Sequence, residues 1–207
     1  MKNSYFIVVD GIDGSGKGEI VKLIHNYLFS KNKKFRILTT REPTNGEYGR
    51  KIRLMLANEK DPFSSTNELV ELFIKDRQMH LKNTILPFLS NTSGDEINIV
   101  VSDRYYYSTI AFQGAQGMQI EKMIEKNADF LKPDIAFILD VNPQIALKRI
   151  EYRKKEKFEQ LEFMKKIRTN FLKLQELLQD KITIINSDRP INVVFNDVKR
   201  EIDNLLD

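Results

Sequence analysis

The stretch Val8–Val21, VVDGIDGSGKGEIV, decides how the rest of the chain is interpreted. An apolar run, Tyr5–Asp10, leads into Gly11; four residues later come Gly16 and Lys17. Glycines let the backbone turn so that successive N–H groups point at phosphate oxygens, and the N-terminus of a following helix adds positive partial charge. A lysine at this spacing reaches the β- and γ-phosphates of a nucleotide. The stretch therefore predicts a strand, a phosphate-binding loop and a helix, in that order.

The same stretch departs from the usual pattern directly after the lysine. A Ser or Thr whose hydroxyl contacts magnesium normally follows, but here Gly18 and Glu19 follow. Because Mg²⁺ is readily held through water and substrate phosphates, and because Ser15 offers another hydroxyl, we expect an active site with altered metal dependence. Asp13, inside the loop, either holds a sugar hydroxyl or a magnesium-bound water, or forms a loop-stabilising turn.

The composition argues against several classes of protein. The 207 residues are 41% hydrophobic and 30% charged, which suits one large domain, and the formal net charge of +4 is too mild to indicate nucleic-acid binding. The absence of cysteine excludes disulfides and thiolate chemistry and fits a reducing compartment. The two histidines, His25 and His80, have no ligand-spaced partner, so neither a zinc site nor a Ser-His-Asp triad is indicated. No apolar run is long enough to span a membrane, and we expect a cytoplasmic protein with no membrane or nucleic-acid partner.

Five short apolar runs alternate with longer amphipathic segments. The runs are YFIVVD (5–10), FRILTT (35–40), INIVVS (97–102), DIAFILD (134–140) and KITIIN (181–186). Continuous apolar character suits strands buried on both faces. Between the runs, segment 156–179 has apolar residues at helical spacing, namely Phe158, Leu161, Met164, Ile167, Phe171, Leu174 and Leu178. The alternation predicts an open, parallel α/β sheet, in which ligands bind beyond the carboxyl ends of the strands.

Charged and aromatic residues follow the second and third predicted strands. Arg41, after the second, could bind a phosphate bidentately. Asp103, after the third, has the placement of an acidic residue that orients Mg²⁺, and Arg104 adds a charge that faces phosphate. Three consecutive tyrosines, 105–107, cannot all be core residues on this interpretation, so at least one should line a polar pocket.

Two further segments each allow two interpretations. In the predicted helix 65–90, Phe73, Arg77 and His80 share one face, where an aromatic ring and an arginine could grip a flat base; Phe73 could equally be a core residue. A basic stretch after the fourth strand is either a solvated face or a lid over a nucleotide. It contains Arg149, Arg153, Lys154, Lys155 and Lys157.

Together these segments resemble the thymidylate kinase family of P-loop nucleoside monophosphate kinases. The matching segments are DGIDGSGK, REP…G…GRKIR, ELFIKDR, DRYYYSTIAFQG and LDVNPQIALKRI, which cover nearly the whole chain. The resemblance implies a three-layer fold with a five-stranded parallel sheet, one domain over residues 1–207 and a short lid at about 149–158. It also implies transfer of a phosphoryl group from ATP to dTMP, giving dTDP and ADP in dTTP synthesis, with Mg²⁺ as cofactor and a homodimeric assembly.

The resemblance assigns a role to each matching position. The loop residues would hold the ATP phosphates: Gly11, Ile12, Asp13, Gly14, Ser15, Gly16, Lys17 and Gly18. Asp13 would meet the sugar 3′-hydroxyl, Arg41 and Arg104 the acceptor phosphate, and Phe73 and Arg77 the thymine. The residues bordering the deoxyribose and base would be Tyr105, Ser108, Thr109, Phe112 and Gln113. Asp13 and Asp103 would hold Mg²⁺ largely through water. Because Gly14 stands where one branch of the family has arginine, Arg149 or Arg153 of the lid would stabilise the transition state, with Lys154 and Lys155 as substitutes. The catalytic set is then Lys17, Asp13, Arg104, Arg149 and Arg153.

Some residues depart from the family, and rival functions remain open. Thr44, Asn45 and Gly46 replace the usual Gly-Gly-Thr after Pro43, and Phe112 stands where tyrosine is common. A kinase for another deoxynucleoside monophosphate or for a deoxynucleoside is one alternative. A non-catalytic nucleotide-binding module, suggested by the missing hydroxyl, is another. DNA binding would rest on the basic stretch alone.

Overall fold

The computed structural model describes residues 2–58, 66–150 and 157–207, and for 157–159 the backbone only. Five strands form one sheet in the order β2-β3-β1-β4-β5, and every strand pair is parallel. The strands are β1 (Ser4–Asp10), β2 (Phe35–Arg41), β3 (Ile97–Asp103), β4 (Ile135–Asp140) and β5 (Ile182–Asn186). All five lie within about one residue of the predicted runs. The predicted parallel α/β sheet is confirmed.

Helices occupy most of the remaining described chain. They are α1 (Lys17–Lys31), α2 (Glu47–Asn58), α3 (Thr66–His80), α4 (Leu86–Ser90), α5 (Tyr106–Ala115), α6 (Ile120–Asn127), α7 (Pro143–Arg149), α8 (Lys157–Leu177) and α9 (Ile191–Leu206). A π-helical segment, Leu81–Ile85, joins α3 to α4, so the predicted helix 65–90 is helical from residue 66 onward. None of the described helices is long and apolar enough to cross a membrane.

Successive side chains of β1 belong alternately to the two hydrophobic clusters of the core. Phe6 and Val8 pack on one face with buried residues of α5 and α8. Ile7 and Val9 pack on the other face with buried residues of α1 and α9. Because successive side chains of a strand point to opposite faces, the sheet is covered by helices on both sides. The predicted three-layer architecture is confirmed.

The sheet register places the ends of three strands at one edge. Asp103 of β3 pairs with Val9 of β1 on one side and with Arg41 of β2 on the other. The loop after β1 therefore lies beside the segment that follows Asp103. This edge is where the sequence predicts ligand binding.

The prediction that at least one of the three tyrosines lines a polar pocket is wrong. Tyr105, Tyr106 and Tyr107 are 0%, 4% and 0% exposed and belong to the same core cluster. The Tyr105 hydroxyl donates to the carbonyl oxygen of Leu131 at 3.0 Å, and the other two hydroxyls donate to a carboxylate oxygen of Asp180. Buried hydroxyls with acceptors do not need water, so all three tyrosines can be core residues.

Candidate active site

Three glycines give the loop after β1 its shape. Gly11, Gly14 and Gly16 have φ angles of 140°, 78° and 95°, a region that other residues rarely adopt. α1 begins at Lys17, so its free N–H groups point into the loop. This strand–loop–helix order is the one predicted. It forms an anion-binding cradle.

Helix α7 packs directly against this cradle. A Cβ atom on Gly14 would lie 2.5 Å from the carbonyl oxygen of Ala146, so no side chain fits there. Arg149, the last residue of α7, donates from Nη1 to the Gly14 carbonyl at 3.3 Å and from Nη2 to the Ser187 carbonyl at 3.0 Å. The structure thus places Arg149, a predicted transition-state arginine, against Gly14, the loop position at which one branch of the family has arginine. Arg153 lies outside the described residues.

Lys17 is folded back onto the loop. Its Nζ donates to the carbonyl oxygens of Gly11 and Ile12 at 3.0 and 2.9 Å, and the side chain is buried. Burial and then the nearby Arg104 charge lower the pKa of Lys17 to about 8, against the opposing pull of Asp13 and other carboxylates. A buried ammonium held by two carbonyls carries charge that an anion could neutralise.

Asp10, the last residue of β1, joins the loop to the segment after β3. It is fully buried, and its carboxylate accepts from the backbone N–H groups of Gly11, Tyr105 and Ser108 at 2.8, 3.2 and 3.0 Å and from the Ser108 hydroxyl at 2.7 Å. Burial raises the pKa of Asp10, while Arg104, the Ser108 hydroxyl and Lys17 oppose this shift. Sequence reasoning missed this residue, although a carboxylate that ends a buried apolar run was the available signal.

Arg104 gathers several predicted site residues. Its Nη1 donates to Ser108 Oγ at 2.8 Å, its Nη2 is paired with the Asp13 carboxylate, and its guanidinium lies 5.3 Å from the centre of the Phe112 ring. Its φ of 72° is left-handed, which is uncommon for a residue other than glycine. Such strain is found at functional sites. Gln113, on the same helix as Phe112, is buried with no hydrogen-bond partner for Oε1 among the described residues.

Two oxygen atoms near the loop are buried without a hydrogen-bond partner among the described residues. Ser15 Oγ and Asp103 Oδ1 have no hydrogen-bond partner in the described part of the chain. That part also contains no group of three His, Asp or Glu side chains able to hold a metal ion. The residues fit Mg²⁺, which typically binds through one or two carboxylates, waters and substrate phosphates rather than through a protein cage.

Gly18 and Glu19 leave room around the start of α1. A Cβ atom on Gly18 would meet no other atom within 4 Å, and Glu19 is exposed. Crowding at the Cβ position therefore does not explain why residue 18 lacks a hydroxyl-bearing side chain.

Arg77 is 1% exposed, and four of its five N–H groups have acceptors among the described residues. Nε and Nη2 donate to Glu42 Oε2 at 2.9 and 2.8 Å. Nη2 also donates to Thr109 Oγ1 at 3.0 Å, and Nη1 donates to Asn127 Oδ1 at 2.8 Å. One N–H group, on Nη1, remains for the base carbonyl that the resemblance assigns to Arg77.

Glu42 is held in turn by α3. It is 2% exposed, and its Oε1 lies 3.1 Å from Nδ1 of His80, whose Nε2 lies 2.7 Å from Thr40 Oγ1. One turn earlier, Asp76 accepts from the N–H and hydroxyl of Thr44 at 2.7 and 2.6 Å, so the altered loop after Pro43 is anchored. Sequence reasoning missed Glu42 and Asp76 because their partners are 32 to 38 residues away along the chain.

Arg41 lines a cavity that the other predicted acceptor residues do not line. It is exposed at the end of β2 and lines a cavity of about 570 Å³ together with Thr40, Tyr48, Asp76 and His80, among others. Arg104, Phe73 and Arg77 are not part of that lining. The pairing of Arg41 with Arg104 on one phosphate therefore stays a prediction.

Phe73 and Thr109 complete the predicted base side. Phe73 is half-buried and belongs to neither described core cluster, which disfavours the core interpretation of this ring. Thr109 is buried against Arg77, and Tyr105, with 0% exposure, lies with its ring 5.2 Å from the Arg77 guanidinium. In this structure Tyr105 can therefore act on a ligand only through Arg77.

Comparison with known proteins agrees with this geometry. The family model described as thymidylate kinase matches residues 9–198. A probable thymidylate kinase of Archaeoglobus fulgidus is 37% identical over 204 residues, covering 97% of this chain and 95% of that one. A probable thymidylate kinase of Thermococcus kodakarensis is 35% identical, with 97% and 98% covered, and a thymidylate kinase of Desulfotalea psychrophila is 34% identical, with 97% and 95% covered. Matches of this extent show that the chain belongs to the thymidylate kinase family.

Proposed function

We propose that the protein transfers the γ-phosphoryl group of ATP to dTMP, giving dTDP and ADP. The observation that carries this proposal is the approach of two cations to one atom. Lys17 Nζ lies 3.0 Å from the carbonyl oxygen of Gly11, and Arg104 Nη1 lies 3.5 Å from the same oxygen. Lys17 belongs to the nucleotide loop and Arg104 to the predicted acceptor side. Two positive charges held this close favour a phosphate group between them.

The chemistry needs positioning and charge neutralisation more than covalent catalysis. The acceptor is a phosphate oxygen that is already ionised, so no strong general base is required. Lys17 would hold the transferred group, while Arg104 and Arg41 would hold the acceptor phosphate. Asp13, paired with Arg104, would accept a hydrogen bond from the sugar hydroxyl. Exclusion of water would favour transfer over hydrolysis.

The base would be recognised by groups on α3 and α5. The half-buried ring of Phe73 would stack on it, and the remaining Nη1–H of Arg77 would donate to a ring carbonyl. The unpartnered Oε1 of Gln113 supports this assignment, because thymine and uracil carry a ring N–H that needs an acceptor. Ser108 and Phe112 would border the sugar.

Magnesium would be held at Asp103 and Asp13, largely through water. When bound, it neutralises negative charge on the phosphates. The buried, unpartnered Oδ1 of Asp103 supports this assignment. Ser15 Oγ is the hydroxyl available in place of the one missing at Gly18.

The remaining proposals concern the chain as a whole. Residues 1–207 would form one domain with a lid at about 149–158, in which Arg149 and Arg153 supply transition-state charge. The contact of Arg149 with the Gly14 carbonyl supports this role. The enzyme would act in the cytoplasm as a homodimer. Exposed Leu54, Leu56 and Met79 on α2 and α3, at 64%, 49% and 45%, offer apolar surface for a second copy.

The test is ADP release with ATP and Mg²⁺ against dTMP, dUMP, dCMP, dAMP, dGMP and thymidine. We expect a strong preference for dTMP. Turnover should be at least about 100-fold lower in Lys17→Met, which controls for contaminating kinases. Preference for another monophosphate would overturn the roles of Phe73 and Arg77 and keep the reaction type. Turnover of thymidine would overturn the phosphate roles of Arg41 and Arg104. ATP binding without any turnover would indicate a non-catalytic module.

A further inference from the structure

We propose that Glu42 and His80 are positioning residues that determine base selectivity through Arg77. This inference rests on the proposed function, because it concerns how the same site selects its acceptor. Neither residue is assigned a role by the motif resemblance. Their importance follows from the chain of buried contacts that runs from Thr40 through His80 and Glu42 to Arg77.

The first step concerns the donors that Arg77 has left. Glu42 takes two of its N–H groups, Thr109 one and Asn127 one. The Asn127 amide is itself oriented, because its Nδ2 donates to the Met123 carbonyl at 2.7 Å. Within the described part of the chain, a single N–H on Nη1 is left without an acceptor, and its direction is set by the other four contacts. A lone donor suits a ring carbonyl, as in thymine or uracil, and opposes the amino group that cytosine has at the same ring position.

The second step concerns what holds Glu42. Its Oε2 is taken by Arg77, and its Oε1 lies 3.1 Å from His80 Nδ1. With the proton on Nδ1, His80 donates to Glu42, and Nε2 accepts from the Thr40 hydroxyl at 2.7 Å. Both ring nitrogens of His80 then have a hydrogen-bond partner. Both side chains are 3% exposed, so water does not compete for these contacts. Thr40 of β2 thus helps to fix the orientation of the Arg77 guanidinium through His80 and Glu42.

The third step concerns rigidity. The central carbon of the guanidinium lies 5.2 Å from the centre of the Tyr105 ring and 5.4 Å from that of the Phe130 ring. These two ring contacts and the carboxylate at Nε and Nη2 restrict the orientation of the guanidinium in a way that lysine, with a single ammonium, could not reproduce. Contacts within the protein therefore orient Arg77, and binding of the base does not need to order it.

The experiment measures KM for dTMP and for ATP, and the ratio of kcat/KM for dTMP to that for dCMP, in single variants. Glu42→Gln keeps the shape of the side chain and removes its charge. We expect KM for dTMP to rise about tenfold, the factor for one misplaced charge-assisted hydrogen bond. We also expect the selectivity ratio to fall by a similar factor, with KM for ATP within about twofold of the wild type. Exposed Gln78→Ala on the same helix is the control and should change none of these values.

Two histidine variants separate positioning from general loss of structure. His80→Asn keeps a side-chain N–H near the Nδ1 position and can still donate to Glu42, whereas His80→Gln places its amide near Nε2 and loses that contact. We expect the Asn variant to retain more dTMP selectivity than the Gln variant at equal thermal stability. Equal selectivity in both, or an unchanged selectivity ratio in Glu42→Gln, would overturn the inference. If the wild type prefers no thymine or uracil nucleotide, the proposed function fails first and the selectivity role of Glu42 fails with it.

Discussion

Around the phosphate loop, buried polar atoms are left without partners, whereas around Arg77 almost every polar group already has one. Ser15 Oγ and Asp103 Oδ1 are buried and unpartnered in the described chain, and Lys17 carries a charge that burial disfavours. Arg77 and Glu42, by contrast, satisfy each other inside the protein. Buried groups without partners raise the free energy of the folded protein. The phosphate side thus keeps buried oxygen atoms that a ligand could satisfy, whereas on the base side, within the described residues, only Gln113 Oε1 and one N–H of Arg77 are left for a ligand.

The largest effect on stability should come from removing Arg77, whose charge is paired inside the protein. In Arg77→Met, Glu42 would be a buried carboxylate without its counterion, and we expect the free energy of unfolding to fall by about 3–5 kcal/mol. The matched variant Arg104→Met should lose less, because Asp13 is 62% exposed. The buried carboxylate of Asp10, 3.9 Å from Arg104, keeps its four hydrogen bonds in that variant. Urea denaturation compares the two.

Similar losses of stability in both variants would contradict the difference between the two sides. A double variant, Arg77→Met with Glu42→Leu, sharpens the comparison. Removing both charges leaves no ion uncompensated, so we expect it to be more stable than Arg77→Met alone.

Lys17→Met should lower activity but raise the stability of the folded protein at pH 7. Loss of the ammonium should lower kcat by about 10²–10³, as removal of a preorganised donor does. Because the pKa of Lys17 is lowered from 10.5 to about 8, its charged form is less favourable in the folded than in the unfolded chain. At pH 7 the variant should therefore be more stable, by up to about 3 kcal/mol. This gain is full below pH 8 and disappears as the pH rises toward 10.5. A loss of stability at pH 7 would contradict the assigned cost of burying the charge.

ATP binding should be linked to proton uptake at Lys17. Above pH 8 the free protein holds much of Lys17 as the neutral amine, and the phosphates of ATP favour its protonation. Calorimetric titration at pH 8.5 in buffers of different ionisation enthalpy should reveal uptake of a fraction of one proton per ATP bound. Lys17→Arg stays charged throughout this range, so the uptake should vanish. Equal uptake by wild type and variant would place the proton elsewhere.

The strands and the loop could be predicted because their signals are local. A strand buried on both faces has a continuous apolar run, as in Ile97–Asp103, and a loop that cradles phosphate needs glycines at fixed spacing, as at Gly11 and Gly16. The order of the five strands has no local signal, and sequence reasoning did not predict it.

The pairings that complete the base side could not be predicted in the same way. Tyr106 and Tyr107 can be buried because Asp180, more than 70 residues away, accepts from their hydroxyls. Two N–H groups of Arg77 have an acceptor because Glu42 packs against it from a different part of the chain. A sequence shows that such groups need partners but not where the partners are. The same limit led to the wrong expectation for the tyrosines.

The smallest effect should come from restoring the hydroxyl that the phosphate loop lacks. A Cβ atom on Gly18 meets no atom within 4 Å, so Gly18→Thr should fold normally and keep kcat within a few-fold. If that hydroxyl contributes to holding Mg²⁺, the Mg²⁺ concentration for half-maximal rate should fall by about two- to tenfold, the value of one modest ligand contact. Gly18→Val has the same branched shape without the oxygen and should leave the Mg²⁺ requirement as in the wild type. Identical requirements in the Thr and Val variants would mean that water, Ser15 and the phosphates already complete the metal site, and that the glycine has no consequence for metal use.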